Sequence, residues 1–276
     1  MKKIAFTLFV FVAAIGLPVA AFTQSLKEFS NYSMAYFFGN SASSSLSQSV
    51  EVDTGNNRVA IYTAIINSIT KKAENFDTSL SDAGTSAPIY RSSFTPEHEC
   101  VLHYGGGVIT GYYLDKHTGK RTTIKEQINT PFIDGHFFEY MLVSCPLARG
   151  FTKEISVYNY NPDNPSKTSK GSIIDVGDDA YTSKHFGNRS AWRATIAFVT
   201  PKGEQRKYLY YIDKDTRRIW KVQVENGPGN NYSVINSEDD YNPYKHPFDR
   251  EATLKLVTAG TATISGLAFA KENSSA

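Results

Sequence analysis

The sequence AWRATIAFVTPKGEQRKYLYYIDKDTRRIWKVQVE occupies residues 191–225 and decides the fold. It contains three runs in which apolar and polar residues alternate, at about 191–200, 205–213 and 217–225. Pro201-Lys202-Gly203 and the Asp213-Lys214 pair separate these runs and are typical of turns. Alternation with a period of two places the apolar side chains of each strand on one face. The stretch therefore predicts antiparallel strands with one apolar face and one wet face.

Similar runs extend the strand pattern to both sides of this stretch. A Ser-rich segment, Ser41 to Ser49, is interpreted as a loop. Gly, Pro, Asn and Asp residues separate the runs, and aromatic residues make up 13% of the chain, which favours strands. Many short strands with regular turn signals predict a mainly β protein built on an antiparallel sheet or barrel. The further strands are expected at about 58–66, 87–94, 98–104, 108–115, 120–128, 151–160, 170–177 and 231–236.

One segment between these strands has helical periodicity instead. Between Asp134 and Cys145, apolar residues recur with the spacing i, i+1, i+4 and i+5, at Phe137, Phe138, Met141 and Leu142. This stripe predicts a single amphipathic helix, with Asp134 as its N-cap. Pro146 then ends the helix. The sheet is the only large partner available for the apolar face, so we expect the helix near 134–145 to pack on it.

The N-terminus has the order of an export signal. Lys2-Lys3 precede an apolar run from Ile4 to about Ile15, and small residues, Ala20-Ala21, follow it. This order predicts a signal peptide at 1–21, and cleavage would leave a soluble periplasmic or secreted protein. The remaining chain is interpreted as an N-terminal lead-in (22–57), a β-sheet domain (58–240) and a C-terminal extension with short strands (241–276).

Charge and hydropathy exclude several classes of partner. The net charge is +2, charged residues make up 20% of the chain, and like charges form no long block. These values give no sign of a nucleic-acid or membrane-surface binder. After the N-terminal run, no stretch reaches the ~18 apolar residues of a membrane-spanning helix. The sequence therefore predicts neither a nucleic-acid partner nor a transmembrane segment.

The motifs that resemble catalytic or metal sites have the wrong spacing. His98 and His103 are five residues apart in a predicted strand, where odd spacing sends the two side chains to opposite faces. Gly105-Gly106-Gly107 precedes a strand, whereas a phosphate-binding loop precedes a helix, so a hairpin turn is predicted. No Gly-x-Ser-x-Gly elbow occurs. We therefore expect no enzymatic activity, no metal site and no cofactor.

Two cysteines, Cys100 and Cys145, follow the predicted signal. In an oxidising compartment they could form one disulfide, and the alternative is two buried thiols that behave as small apolar residues. The sequence does not decide between these alternatives.

Between Thr85 and Glu225 the chain contains an ordered set of motifs: Ala87-Pro88-Ile89, the helix beginning near Asp134, Pro146-Leu147-Ala148-Arg149-Gly150, Ala191-Trp192-Arg193 and the segment from Tyr211 to Ile219. This ordered set resembles a family of exported bacterial β proteins of unknown function. The resemblance implies a strongly curved antiparallel sheet, similar to the half-barrel of the bacterial lipoprotein-localisation carriers. Those carriers hold acyl chains between a concave sheet and a helical plug. The resemblance assigns no catalytic residues.

Three non-enzymatic functions remain open at this point. The first is a structural or assembly protein of the envelope, with other envelope proteins as partners, whose sheet face is a filled core. The second is a carrier whose concave face binds a lipid or another hydrophobic ligand, and the third is a glycan-binding protein. A carrier would use the apolar face of two strands, and we expect its ligand to contact Trp192, Ile196, Phe198, Trp220, Val222 and Val224.

Overall fold

The computed structural model describes most of the predicted sheet domain and part of the segment before it. It describes residues 31–38, 41–53, 55–67, 73–163, 168–183, 187–199, 203, 205–225 and 232–236. The predicted signal peptide and the C-terminal extension at 241–276 lie outside the described residues. The strands are β1 (Asn31–Phe38), β2 (Ser41–Asp53), β3 (Arg58–Asn67), β4 (Ala73–Asp82), β5 (Pro88–Phe94), β6 (His98–Gly105), β7 (Val108–Asp115), β8 (Arg121–Gln127), β9 (Ile133–Asp134), β10 (Lys153–Tyr158), β11 (Thr168–Ser183), β12 (Gly187–Val199), β13 (Gln205–Asp213), β14 (Ile219–Glu225) and β15 (Tyr232–Asn236).

These strands form one sheet in the order β8-β7-β6-β5-β4-β3-β2-β1-β15-β14-β13-β12-β11-β10-β9. The fold is mainly β, as predicted, and the sheet is a strongly curled half-barrel. The prediction of a wholly antiparallel sheet is wrong at one end, because β9 pairs with β10 in parallel. Parallel neighbours need a crossover connection, and the chain between β9 and β10 supplies it with the helix.

The curl brings one end of the sheet against the inner face of the other. Val157 of β10 belongs to the main apolar core. The next residue, Tyr158, is also fully buried but packs with Cys100, Leu102 and Ile109 of β6 and β7. Consecutive residues of a strand point to opposite faces. Strand β10 therefore lies between the main core and the overlapping strands at the far end of the sheet.

The predicted helix is confirmed and lies in the main core. A 3₁₀ turn (Gly135–Phe137) leads into helix α1 (Phe138–Ser144), and Asp134 caps the turn by accepting a hydrogen bond from the His136 backbone N–H. The helix is enclosed on more sides than an amphipathic stripe predicts, because Tyr140 and Val143 are buried as well as the predicted residues. Its apolar side chains pack with those of β10–β14 and with Val59 and Ile61 of β3.

Three strands, β1, β2 and β4, lie where the sequence predicted none. The prediction of a loop from Ser41 to Ser49 is wrong, because these residues belong to β2, which pairs with both β1 and β3. The sheet also begins by Asn31, so the predicted boundary at residue 58 falls inside it. Strand β4 was missed as well. Both β2 and β4 are rich in Ser, Asp or Asn, which disfavour strands when residues are considered one at a time.

Three hairpins share one turn geometry, built on the pattern Asp-x-x-Thr. In β7–β8 the Asp115 carboxylate accepts hydrogen bonds from the backbone N–H groups two and three residues later. Asp213 does the same between β13 and β14, and Asp82 between β4 and β5. In each turn the Asp N–H donates to the carbonyl five residues later. Residues 112–118 (YYLDKHT) and 210–216 (YYIDKDT) are similar in sequence because both lead into this turn, which occurs a third time at Asp82.

Candidate functional site

A stripe of polar side chains runs along the concave face of β4 and β5. The register pairs Ser79 with Arg91 and Asp77 with Ser93, which places these residues on one face of the sheet. All of them are buried, and so is Ser81. The same face of β3 carries Val59 and Ile61, so the inner surface changes from apolar to polar within two strands.

Asp134 lies at the centre of this stripe and is fully buried. The Tyr104 hydroxyl donates to its Oδ2 at 2.8 Å, and the Ser79 hydroxyl donates to its Oδ1 at 3.2 Å. The His136 backbone N–H donates to the same Oδ1 at 3.0 Å. Arg91 Nη1 lies 3.5 Å from Oδ2 and forms a buried ion pair. One carboxylate therefore connects β4, β5 and β6 to the short strand β9 and the start of the helix.

His136 extends the network to Asp77. Arg91 Nη2 lies 2.8 Å from His136 Nε2, and a guanidinium group can only donate, so Nε2 must accept. The proton of the neutral ring is then on Nδ1, which lies 3.7 Å from Asp77 Oδ2. Burial lowers the pKa of His136, which agrees with a neutral imidazole. The nitrogen that could act as a general base is therefore occupied by Arg91.

Asn159, just after β10, is a further partner of Arg91. Its Oδ1 accepts a hydrogen bond from Arg91 Nη1 at 3.2 Å. Asn159 lies so close to Gly135 that a Cβ atom there would be 2.0 Å from Oδ1. Glycine at 135 therefore leaves the space that Asn159 occupies. Through Asn159, the guanidinium group of Arg91 also connects three parts of the overlapping sheet.

The chemistry of this network is that of a structural crosslink. Each carboxylate faces a cation, a ring nitrogen or a hydroxyl that belongs to the fold. Among the described residues, no group of three or more His, Cys, Asp or Glu side chains is arranged to hold a metal ion. The described part of the chain also has no helix that combines the length and the apolar character needed to cross a membrane.

An open cleft lies beside the network, on the other side of Tyr104. Its volume is about 420 Å³, and three connections form it: the β4–β5 turn, the β6–β7 hairpin and the loop 128–132. Gly106 and Gly107 occupy the hairpin with φ values of 58° and 75°, which favour glycine. Phe132 meets the Tyr104 ring edge to face at 5.7 Å. The cleft thus has an aromatic wall and a backbone-rich rim, a combination that the sequence analysis did not identify.

Four of the predicted ligand residues lie together on β12 and β14. Ile196 is fully buried, Val222 is 5% exposed, and both belong to the main core. Phe198 packs on this core and meets Phe138 of the helix edge to face at 4.9 Å. Val224 follows Val222 on the same strand and pairs with Tyr208 of β13. Strand β13 lies between β12 and β14, so the two strands are not direct neighbours in the sheet.

The two tryptophans do not line a common surface. Trp192 packs at the margin of the main core, with Lys214 Nζ 4.1 Å from its ring centroid. The bulge between Tyr211 and Ile212 shifts the register of β14, and Trp220 lies outside the main core cluster. Its ring stacks on Tyr181, 5.8 Å away, and its Nε1–H donates to Asp213. The prediction that Trp220 shares a face with Val222 is therefore wrong.

The cysteines are free thiols in different clusters. Cys145 ends the helix in the main core, and Cys100 lies with Tyr158 between the overlapping strands. Burial raises the pKa of Cys100 to about 11 and also raises the pKa of Cys145. Both therefore behave as small apolar residues in this structure.

The two histidines of the rejected metal motif lie on different faces of β6. His98 stacks on Tyr113, with 5.3 Å between the ring centroids. His103 lies 5.3 Å from Tyr90, whose neighbours are Ala60, Leu80 and other residues of a separate cluster. The predicted opposite orientation is confirmed.

Comparisons with known proteins return descriptions without an assigned function. A family model described as "Protein of unknown function (DUF3108)" matches residues 31–248. No curated protein matches the chain. A solved structure, described as a β-barrel-like protein of the domain of unknown function DUF1849 from Brucella abortus, is similar with a TM-score of 0.46 and 11% identity. The match covers 75% of this chain and 94% of that chain.

Proposed function

The chain belongs to the DUF3108 family of proteins of unknown function, and from this premise we propose that it is an exported, non-enzymatic envelope protein with a structural or assembly role. The observation that carries the proposal is the packing of the concave face. Phe137 and Leu142 are fully buried there, against Ile173, Ile196 and other residues of the curled sheet. A face filled by the protein's own helix serves as a core.

The polar residues support a role without catalysis. Asp134 and Arg91 neutralise each other, and the Tyr104 hydroxyl donates to Asp134. The remaining ring nitrogen of His136 faces Asp77. An acid–base catalyst needs a titratable group within reach of a substrate, whereas these groups hold parts of the sheet together.

The carrier alternative requires an open concave face. The predicted resemblance to lipoprotein-localisation carriers remains a hypothesis, and an acyl chain would need the space beside Ile196, Phe198 and Val222. Among the described residues, that space holds Phe138, Leu142 and their neighbours. The filled-core alternative is therefore the better supported of the two.

Export rests on the N-terminal pattern. Lys2-Lys3, the apolar run and Ala20-Ala21 have the order that a signal peptidase recognises. We therefore propose that the folded chain acts in the periplasm or outside the cell.

Native mass spectrometry of protein purified from its own envelope tests this proposal. We expect a mass that lacks residues 1–21 or 1–23, because cleavage follows the small residues at the end of the apolar run. We also expect no bound lipid, because the helix fills the sheet face. A full-length mass would contradict export, and a stoichiometric lipid adduct would contradict the filled core.

A further inference from the structure

We propose that the cleft between the β4–β5 turn, the β6–β7 hairpin and the loop 128–132 binds an uncharged saccharide unit. This binding goes beyond the proposed structural role. The cleft has a volume of about 420 Å³, which falls in the range of small-molecule sites of ~300–1,000 Å³. It also lies on connections between strands, where binding residues are concentrated on a rigid scaffold.

The charge of the lining indicates an uncharged ligand. Among the described residues, those that line the cleft include no Asp, Glu, Lys, Arg or His. Behind the aromatic wall, Arg91 and Asp134 form an ion pair with each other. The Asp82 carboxylate, next to the lining residue Thr85, accepts hydrogen bonds from the backbone N–H and the hydroxyl of that residue. A charged ligand would lose hydration in this cleft without gaining a counter-charge.

The aromatic wall is fixed in place before any ligand arrives. The Tyr104 hydroxyl donates to Asp134, and its ring meets Phe132 and Tyr158 edge to face at 5.7 and 6.0 Å. Tyr104 therefore offers the cleft its ring and not its hydroxyl. Because an aromatic face carries negative partial charge, it attracts the polarised C–H face of a sugar ring.

The rim supplies neutral hydrogen-bonding groups. Asn129 and Thr130 are exposed at one side of the cleft. The hairpin on the other side presents backbone, because Gly105 and Gly106 have no side chains and a Cβ atom at either would meet nothing within 4 Å. Sugar hydroxyls can donate to and accept from such groups. An acyl chain offers them no hydrogen bond, so the rim favours a saccharide.

Glycine-selective ¹⁵N labelling tests this inference on the intact protein. The chain has 19 glycines, so the amide spectrum is sparse, and Gly106→Asn removes one cleft signal and aids assignment. Asparagine tolerates the positive φ at 106. The probes are cellobiose and tri-N-acetylchitotriose, which are both uncharged.

We expect at least one probe to shift the Gly105–Gly107 signals with half-saturation near 1 mM, about the affinity of a weak, open site. Signals of Gly119 and Gly187, in other hairpins, should not move. Thr130→Trp fills the cleft from an exposed position and should weaken binding at least tenfold. Thr152→Trp, at an exposed position outside the lining, should leave it unchanged.

Three results would overturn the inference. One is the absence of any shift at Gly105–Gly107 with either sugar at 20-fold the expected half-saturation (~20 mM). Another is a shift that Thr130→Trp leaves unchanged while its glycine spectrum shows a folded protein. The third is a response of these signals to decanoate and not to the sugars, which would assign the cleft to an apolar ligand.

Discussion

Replacing Phe138 by Asp should destabilise the protein by about 4 kcal/mol, because it places an unpaired carboxylate in the main core. Phe138 is 4% exposed, and its ring meets that of Phe198 edge to face. The ring of Tyr210 also lies nearby, with 6.4 Å between the ring centroids. Urea denaturation measures the free energy of unfolding, and an unchanged slope would show that the same surface is exposed on unfolding.

Val199→Asp is the matched control, since Val199 is 38% exposed at the end of β12. We expect it to cost about 1 kcal/mol or less, mainly through lower β propensity. If Phe138→Asp had an unfolding free energy close to that of the control, the helix would lie off the sheet and the core that we describe would not exist.

The second large effect is expected at the polar network. Asp134→Ala removes the counter-charge of Arg91 and the acceptor of the Tyr104 and Ser79 hydroxyls. Breaking a buried ion pair by removing one partner costs about 3–5 kcal/mol, because the other charge stays buried without compensation. The same denaturation experiment measures this loss.

Asp178→Ala is the control for a surface ion pair. Asp178 binds Arg149 and Lys214, but its side chain is 38% exposed and that of Arg149 is 80% exposed. We expect the melting temperature of this variant to stay within about 2 °C of wild type. A similarly small change for Asp134→Ala would show that the network does not hold the overlapping ends of the sheet together.

A double variant separates the charge from the hydrogen bonds. Asp134→Asn keeps the shape of the side chain but leaves Arg91 unpaired, and adding Arg91→Met removes the unpaired charge. The double variant should therefore lose less unfolding free energy than the two single variants lose together. The difference is expected to be about 0.5–3 kcal/mol, as for directly interacting residues.

Local patterns predicted the parts of the fold in which one face is apolar. In β12, Ala194 and Ile196 are fully buried as their alternation indicates. The helix followed from its apolar stripe between Asp134 and Pro146. In these segments burial on one face determines both the periodicity and the structure.

Strand β4 was missed because the side chains on its concave side are polar. The concave side of β4 carries Asp77, Ser79 and Ser81, whose polar groups face a network built from distant parts of the chain. Asp134 contacts residues of β4, β5 and β6 that are at least 30 positions away in the sequence. The shortest separation, 30 residues, is that between Tyr104 and Asp134. No local pattern reports such contacts, so the sequence revealed Asp134 as a cap but not as the centre of a crosslink.

A bulge caused the main error at the predicted ligand face. The register shift at Tyr211 and Ile212 places Trp220 against Tyr181, outside the cluster that contains Val222. Strict alternation assumes an uninterrupted pairing, and one extra residue redirects every side chain beyond it. The alternation in 217–225 gave no sign of this interruption.

Titration with an environment-sensitive fatty-acid probe tests the filled core most directly. We expect no saturable change in probe or tryptophan emission up to high micromolar concentration, because the helix occupies the space beside Ile196 and Val222. An open face that buried ~200 Å² of acyl chain would gain ~5 kcal/mol before association costs, and its affinity would approach micromolar at most. Saturable binding in that range, abolished by a Phe198→Asp substitution that leaves the protein folded, would show that the concave face is open and not a filled core.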